Sequence, residues 1–175
     1  AAFAACRALG MEPGEIVAGL VSFNGLPHRL QTVGEISGVR FVNDSKATNP
    51  QAAEQALMAF PGAFWIAGGR PKEEGIDALA DFLPSVRKAY LIGEATDDFA
   101  RTINGRTETQ KCRTLDVAMQ AAFEDAKASG LEAPVILFSP ACASFDQFKD
   151  YEDRGRAFQA LTADLARRQR IRETA

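Results

Sequence analysis

One histidine, three cysteines and no long apolar run make up the scarcities of this 175-residue sequence, and each closes off a chemistry. A zinc site or a Ser/His/Asp triad would have to be assembled around His28 alone. Cys6, Cys112 and Cys142 are an odd set without metal-type spacing, in segments that read as buried, which is the usage of reduced core thiols in a cytosolic protein. No apolar stretch reaches the roughly 20 residues that span a bilayer, and the start lacks a basic n-region followed by an apolar h-region. Neither secretion nor membrane insertion is expected, and the cytoplasm is the expected location. Lys and Arg number 20 against 23 Asp and Glu, for a net charge of -3. With no general basic field, nothing draws the chain to nucleic acid. The run Arg167, Arg168, Arg170 and Arg172, beside Asp164 and Glu173, reads as a solvated helix end. There is no internal repeat and no low-complexity tract.

What is present is one domain's worth of chain, 46% apolar and 25% charged. It opens inside a helical pattern, Ala1 to Gly10, without an initiating Met or an N-cap residue, so a fragment of a longer protein is expected. Two short helices are predicted, one stopping at Gly10 and one starting near Pro13. Leu26-Pro27-His28 reads as a linker. Two extended runs follow, Arg29 to Ile36 and Val39 to Asn43, with Ser37-Gly38 as a tight hairpin turn.

From Asn43 the pattern becomes strand, loop, helix, repeated. Asn49 caps and Pro50 opens a helix carrying Ala53, Ala56, Leu57 and Phe60 on one face. Strand Ala63 to Ala67, a helix near Ile76 to Leu83, strand Ala89 to Ile92, a helix near Thr96 to Ile103 and a weak strand near Thr109 to Cys112 come next. Thr114 can cap a helix with Leu115, Ala118, Met119, Ala122 and Ala126 on its inner face, ending at Gly130. The continuous apolar run Pro134 to Phe138 suits a strand buried on both faces, and a last long helix carries Phe148, Tyr151, Gly155, Phe158, Thr162 and Leu165 on one stripe. The fold class that follows is α/β: a Rossmann-like, doubly wound, mostly parallel sheet of about six strands with an edge hairpin, preceded by short helices.

In such sheets ligands bind beyond the C-terminal ends of the strands. Three polar loops occupy that position: Asp44 to Asn49, Gly68-Gly69-Arg70-Pro71-Lys72, and Ser139 to Ser144. Together they offer lysines, hydroxyls and backbone amides to a carboxylate or a phosphate. Each loop also has a structural reading. Asp44 to Asn49 can be a turn into a capped helix, Gly68-Gly69 a simple turn, and Ser144 with Gln147 a capping box. His28 reads as a solvated or packing residue, Cys142 as a space-filler, and Gly155 as a point of close backbone packing.

Gly25-Leu26-Pro27-His28-Arg29, Val42-Asn43-Asp44-Ser45-Lys46-Ala47-Thr48-Asn49, Gly68-Gly69 with Lys72, Ser139 to Phe148 and Tyr151-Glu152-Asp153-Arg154-Gly155 together resemble the Mur ligase family of ATP-dependent amide ligases, in its D-glutamate-adding branch. The resemblance implies three steps: ATP phosphorylates the carboxylate of UDP-N-acetylmuramoyl-L-alanine, the amine of D-glutamate attacks the acyl phosphate, and phosphate leaves. It implies D-glutamate contacts from Thr48, Lys72, Ser144, Phe145 and Tyr151, with Lys46 as the catalytic lysine beside them. Arg29 and Asp44 would reach the nucleotide, near its phosphates and its ribose. Tyr151 stands where the family more often has Phe.

The same resemblance divides the chain into residues 1–25, the end of a central ATP-binding domain with its linker, and residues 26–175, the amino-acid-binding domain. The ATP-phosphate loop, the Mg2+ ligands and the UDP-binding domain have no counterpart in the sequence, so no metal site is expected here and the chain by itself is expected to be inactive. The expected partners are these missing domains of the same protein, in a monomer. Two rivals stand beside this reading: another amide ligase such as a folate polyglutamylating enzyme, and a free-standing Rossmann-like module for a nucleotide or acidic metabolite.

Overall fold

The computed structural model describes residues 1–23, 25–73 and 75–173. Two short helices open it, α1 (Ala2–Ala8) and α2 (Pro13–Ser22). Gly10 takes φ +84° after the first, and Glu12 with Glu15 forms a capping box ahead of Pro13 in the second. Together they bury only Ile16, while Leu9, Val17, Val21 and Phe23 are exposed. Cys6 accordingly is half-buried, against the sequence expectation of a core thiol; Cys112 and Cys142 are buried, and all three are free.

The strands are β1 (Gln31–Ile36), β2 (Val39–Asn43), β3 (Phe64–Gly68), β4 (Lys88–Ile92), β5 (Thr109–Arg113) and β6 (Val135–Phe138). They form one six-stranded sheet in the order β1-β2-β6-β3-β4-β5, antiparallel between β1 and β2 and parallel elsewhere. The hairpin turn is built at Ser37 and Gly38, both at positive φ, as a two-residue turn matched to strand twist requires. Strand β1 starts two residues later than the apolar pattern implied. His28 and Leu30 both take positive φ, and the Leu30 amide donates to Asp44 Oδ1, so the chain turns there before it extends.

Alternate residues of the central strands feed two cores. Trp65, Ala67, Ala89, Leu91 and Leu137 pack on α3 (Pro50–Ala59) and α4 (Thr96–Ile103). Phe64, Ile66, Tyr90, Ile92, Ile136 and Phe138 pack on α5 (Leu115–Ala128) and α6 (Tyr151–Glu173). Helices on both faces of a mostly parallel sheet are the doubly wound α/β architecture that the pattern predicts.

Three local expectations are corrected. The helix near Ile76–Leu83 is two separate 3₁₀ turns, Asp77–Leu79 and Leu83–Ser85. Pro84 has no amide to donate, and its ring opposes the carbonyl four residues back, so an α-helix cannot run through it. Thr114 stands at the N-cap of α5 without a side-chain cap bond. The last helix begins at Tyr151, not near Ser144, and Phe148 packs against the core from the preceding turn. Asp150 caps it by accepting from the Asp153 amide at 2.6 Å.

Asn49 behaves as the sequence implies, its side chain accepting from the Ala52 amide at 2.8 Å to start α3 just past the signature loop. Asn49→Ala is expected to lower stability by about 1 kcal/mol, a fall of about 2–4 °C in the melting midpoint by circular dichroism.

Candidate functional site

Because β2, β6 and β3 are parallel neighbours, the loops leaving their C-terminal ends share one rim. Backbone bonds stitch them together. Asp44 N donates to Phe138 O at 2.7 Å, Gly68 N to Pro140 O at 2.9 Å, and Arg70 N to Ala143 O at 2.9 Å. The glycines permit this closeness. Gly68 and Gly69 lie at φ +122° and +136°, where L side chains are strained, and a Cβ on either would collide with a backbone carbonyl, Ile92 O or Ala143 O. The pair is therefore a structural junction, and it places the Arg70–Lys72 stretch beside the Ala143–Ser144 stretch.

Between these loops lies a cleft of about 340 Å³ lined by Thr48, Lys72, Ser144, Phe145, Asp150 and Tyr151. All five side chains named from sequence for the amino acid line this one cleft. Phe145 is 62% exposed at its edge, whereas Ser144 is buried. The capping box of Ser144 with Gln147 is absent. The Ser144 carbonyl instead heads a turn, accepting from Gln147 N at 3.2 Å and Phe148 N at 2.9 Å. Among the described residues the hydroxyls of Thr48 and Ser144 have no hydrogen-bond partner, and Lys72 has no carboxylate within 4 Å. These are open groups for an acidic ligand. Asp150, which the sequence did not single out, also lines the cleft, with its carboxylate engaged by the Asp153 amide and near Arg156.

A second cleft of about 310 Å³ opens on the other side of the signature loop, lined by Arg29, Leu30, Asp44, Lys46, Ala47 and Gln55. Lys46 connects the two. Its ammonium lies 4.3 Å from the centroid of the Tyr151 ring, and Nζ donates to Tyr151 Oη at 3.3 Å. Tyr151 Oη in turn donates to Glu152 Oε1 at 3.1 Å. The ring of Tyr151 thus carries a cation at the boundary between the clefts, an arrangement a Phe would share in its cation–π part only.

Asp44 is buried and accepts from Leu30 N at 3.2 Å and from Ser139 Oγ at 2.7 Å. Burial raises its pKa above the ordinary 3.8, against the lowering by Ser139, Leu30 and nearby Arg29. The fold therefore holds this proton more tightly than the unfolded chain does. Its contribution to stability falls as pH rises from the unfolded value through the raised folded one, and stays reduced above it. Asp44→Asn keeps the shape and removes the buried charge. It is expected to be at least as heat-stable as the parent at pH 7, with the gap closing as pH falls through the raised folded value and gone by about pH 4, as melts across pH will read out.

His28 is buried, not solvated. Its Nδ1 lies 3.1 Å from Asn43 Nδ2, and its carbonyl accepts from Lys46 N at 3.0 Å. The ring rests against the α-carbon of Gly155, where a Cβ would collide with it. That is the close packing Gly155 was expected to serve. Desolvation first, then Arg156, lowers the imidazole pKa, while Glu152 opposes. Cys142 is fully buried and its thiol is pushed up to about 12, chiefly by burial, which makes it an inert space-filler. Among the described residues no three His, Cys, Asp or Glu side chains cluster closely enough to hold a metal ion, and no helix is long and apolar enough to cross a membrane.

Solved structures share this architecture at low identity. A bifunctional folylpolyglutamate synthase/dihydrofolate synthase from Yersinia pestis superposes with a TM-score of 0.56 over 85% of the chain and 34% of its own, at 20% identity. A UDP-N-acetylmuramate–alanine ligase from Thermotoga maritima gives 0.57 over 93% of the chain and 36% of its own, at 14% identity. The fold is thus shared with a synthase and a ligase of low sequence identity. The family model for Mur ligase, glutamate ligase domain, matches residues 28–142, and the chain belongs to that family. Relatives named UDP-N-acetylmuramoylalanine–D-glutamate ligase match it from Caulobacter sp. strain K31 (53% identity, 95% of the chain), Caulobacter vibrioides (56%, 94%) and Rhodospirillum rubrum (49%, 95%). The chain spans 35% of the length of each of these relatives.

Proposed function

We propose that this chain is the amino-acid-binding portion of a cytoplasmic, monomeric ligase that joins D-glutamate to UDP-N-acetylmuramoyl-L-alanine in peptidoglycan synthesis. The observation that carries this reading is the gathering of Thr48, Lys72, Ser144, Phe145 and Tyr151 around one cleft, next to a second cleft holding Arg29 and Asp44, with Lys46 between them. Relatives about half identical over nearly the whole chain favour D-glutamate over folate chemistry, which is shared here at the level of fold only. Residues 1–25 are assigned to the end of a central domain and 26–175 to the amino-acid-binding domain. The apolar surface left open by α1 and α2, and the start of the family match at residue 28, support that division.

A carboxylate is a poor electrophile, and ATP, with Mg2+, supplies the phosphoryl group that turns it into an acyl phosphate. The work of this chain is then positioning. Lys72 and the hydroxyls of Thr48 and Ser144 hold the carboxylates of D-glutamate, and Phe145 and Tyr151 wall the cleft. Lys46, at the boundary, offsets the negative charge that gathers where the amine meets the acyl phosphate. In the second cleft, Asp44 accepts from ribose hydroxyls and Arg29 faces phosphate oxygens, a division that fits an apolar pocket edged by one acid and two bases.

Phosphate release from ATP tests the proposal. The full-length polypeptide is expected to release phosphate only when both UDP-N-acetylmuramoyl-L-alanine and D-glutamate are present, and the 175-residue chain alone to release none. D-glutamate-dependent release by the chain alone would contradict the division of labour proposed here.

A further inference from the structure

Arg154, in the first turn of α6, is the largest charged side chain enclosed in the domain, 1% exposed. Its guanidinium reaches both sides of the rim. Nε donates to Ser45 Oγ at 3.0 Å, Nη2 to Ser45 O at 2.8 Å and Nη1 to Cys142 O at 3.0 Å. Its carbon lies 5.9 Å from the centroid of Phe138, and a Cβ on Gly69 would come to 3.2 Å from Nη1. One side chain thus touches the loops after β2, β3 and β6. Ser45 Oγ passes the link on, donating to Tyr151 O at 2.8 Å.

Buried cations are ordinarily paired with carboxylates. Among the described residues Arg154 has no carboxylate within 4 Å, only carbonyls and a hydroxyl. Burial draws its pKa down to about 10, which leaves it cationic at neutral pH. Asp146 acts on it from beyond ion-pair distance and opposes the effect of burial, so the domain keeps, next to the cleft whose open groups are Lys72, Thr48 and Ser144, a positive charge that no direct ion pair neutralises.

We propose that Arg154 is a positioning residue of the ligand site. It clamps the loop after β2 to the loop after β6, so that Thr48 on one and Ser144 on the other face a single cleft, and its charge, held without a direct ion pair, biases that cleft towards acidic ligands. This rests on the amino-acid-binding reading above. A lysine cannot replace it, because one ammonium cannot meet three acceptors held in the planar fork of a guanidinium.

Two readouts on the full-length polypeptide test it, amide hydrogen exchange and steady-state kinetics. The amide of Arg70 is bonded across the rim to Ala143 O, and those of Ser45 and Lys46 fix the loop after β2 through Asn43 Oδ1 and His28 O. In Arg154→Lys these three are expected to exchange about ten-fold faster while Trp65, Ile66 and Leu91 keep their protection. The KM for D-glutamate is expected to rise about ten-fold with the KM for ATP within about two-fold. Ser45→Ala, which removes only the hydroxyl from the clamp, is expected to move both readouts the same way by about two- to five-fold.

Unchanged exchange at the three amides in a folded Arg154→Lys protein, or equal rises in both KM values, overturns the clamp. If Arg154→Lys does not fold, Ser45→Ala decides, and unchanged exchange and KM there overturn it. If the parent protein shows no turnover dependent on D-glutamate, the functional reading fails while the exchange readout still decides the clamp.

Discussion

Lys72→Ala in the full-length polypeptide is expected to raise the KM for D-glutamate about ten- to hundred-fold while the KM for ATP stays within about two-fold. Losing a hydrogen bond to a charged group removes about 1.5–3 kcal/mol, which sets that range. Lys72 lines the amino-acid cleft and not the cleft of Arg29 and Asp44, so its loss is confined to one substrate. Lys46→Ala differs because Lys46 lies at the boundary, held on the Tyr151 ring and lining the second cleft. There kcat is expected to fall with kcat/KM, the signature of an interaction made at the reacting centre rather than in ground-state binding. Initial rates with each substrate varied in turn separate the two lysines. Equal effects of Lys72→Ala on both KM values would place it outside the amino-acid cleft.

A large stability effect is expected at Gly69. Gly69→Ala forces an L side chain to φ +136° and drives its Cβ into the Ala143 carbonyl, with Cys142 Cβ at 3.1 Å and Arg154 Nη1 at 3.2 Å behind it. Backbone strain of this kind runs to about 1–3 kcal/mol, and overpacking adds about 1–3 kcal/mol. A loss of about 3 kcal/mol or more follows, or about 6–12 °C in the melting midpoint for a chain of this length. The rim must part to admit the methyl group, so the variant that still folds at low temperature is expected to bind D-glutamate poorly too. A Gly69→Ala protein with parental midpoint and KM would show that the loops are not joined as described. Gly62, also at positive φ but with open space around it, gives the contrast, since Gly62→Ala meets strain without a collision.

The sheet was legible because its signals are local. Alternate residues of β3 and β4 go to opposite cores, the hairpin turn needs positive φ at Ser37 and Gly38, and Asn49-Pro50 opens a helix by capping chemistry. Where two local signals conflicted, reading the pattern alone chose wrongly. Ile76, Leu79 and Leu83 carry helical spacing, but Pro84 breaks the backbone ladder and leaves two 3₁₀ turns. Ser144 and Gln147 match a capping box, yet Asp150 caps the helix instead.

For the site, the motif residues were found by resemblance, and the fold brings the five amino-acid residues to one cleft. What stayed hidden was the packing beneath it. His28 looked like a linker residue because nothing in its neighbours reveals that Gly155, 127 positions away, leaves room for its ring. Arg154 entered only as one letter of the Tyr151–Gly155 run, although the stripe of Tyr151, Gly155 and Phe158 includes its position at steps of three and four. An arginine on a buried stripe is the signal that could have found it.

The most direct test is a crystal structure of the full-length polypeptide with D-glutamate and a nucleotide bound. D-glutamate is expected in the cleft of Thr48, Lys72, Ser144, Phe145 and Tyr151, with a carboxylate within about 3 Å of Lys72 Nζ, and the nucleotide's ribose at Asp44. D-glutamate bound elsewhere, in the Arg29–Asp44 cleft or away from the rim, would contradict it.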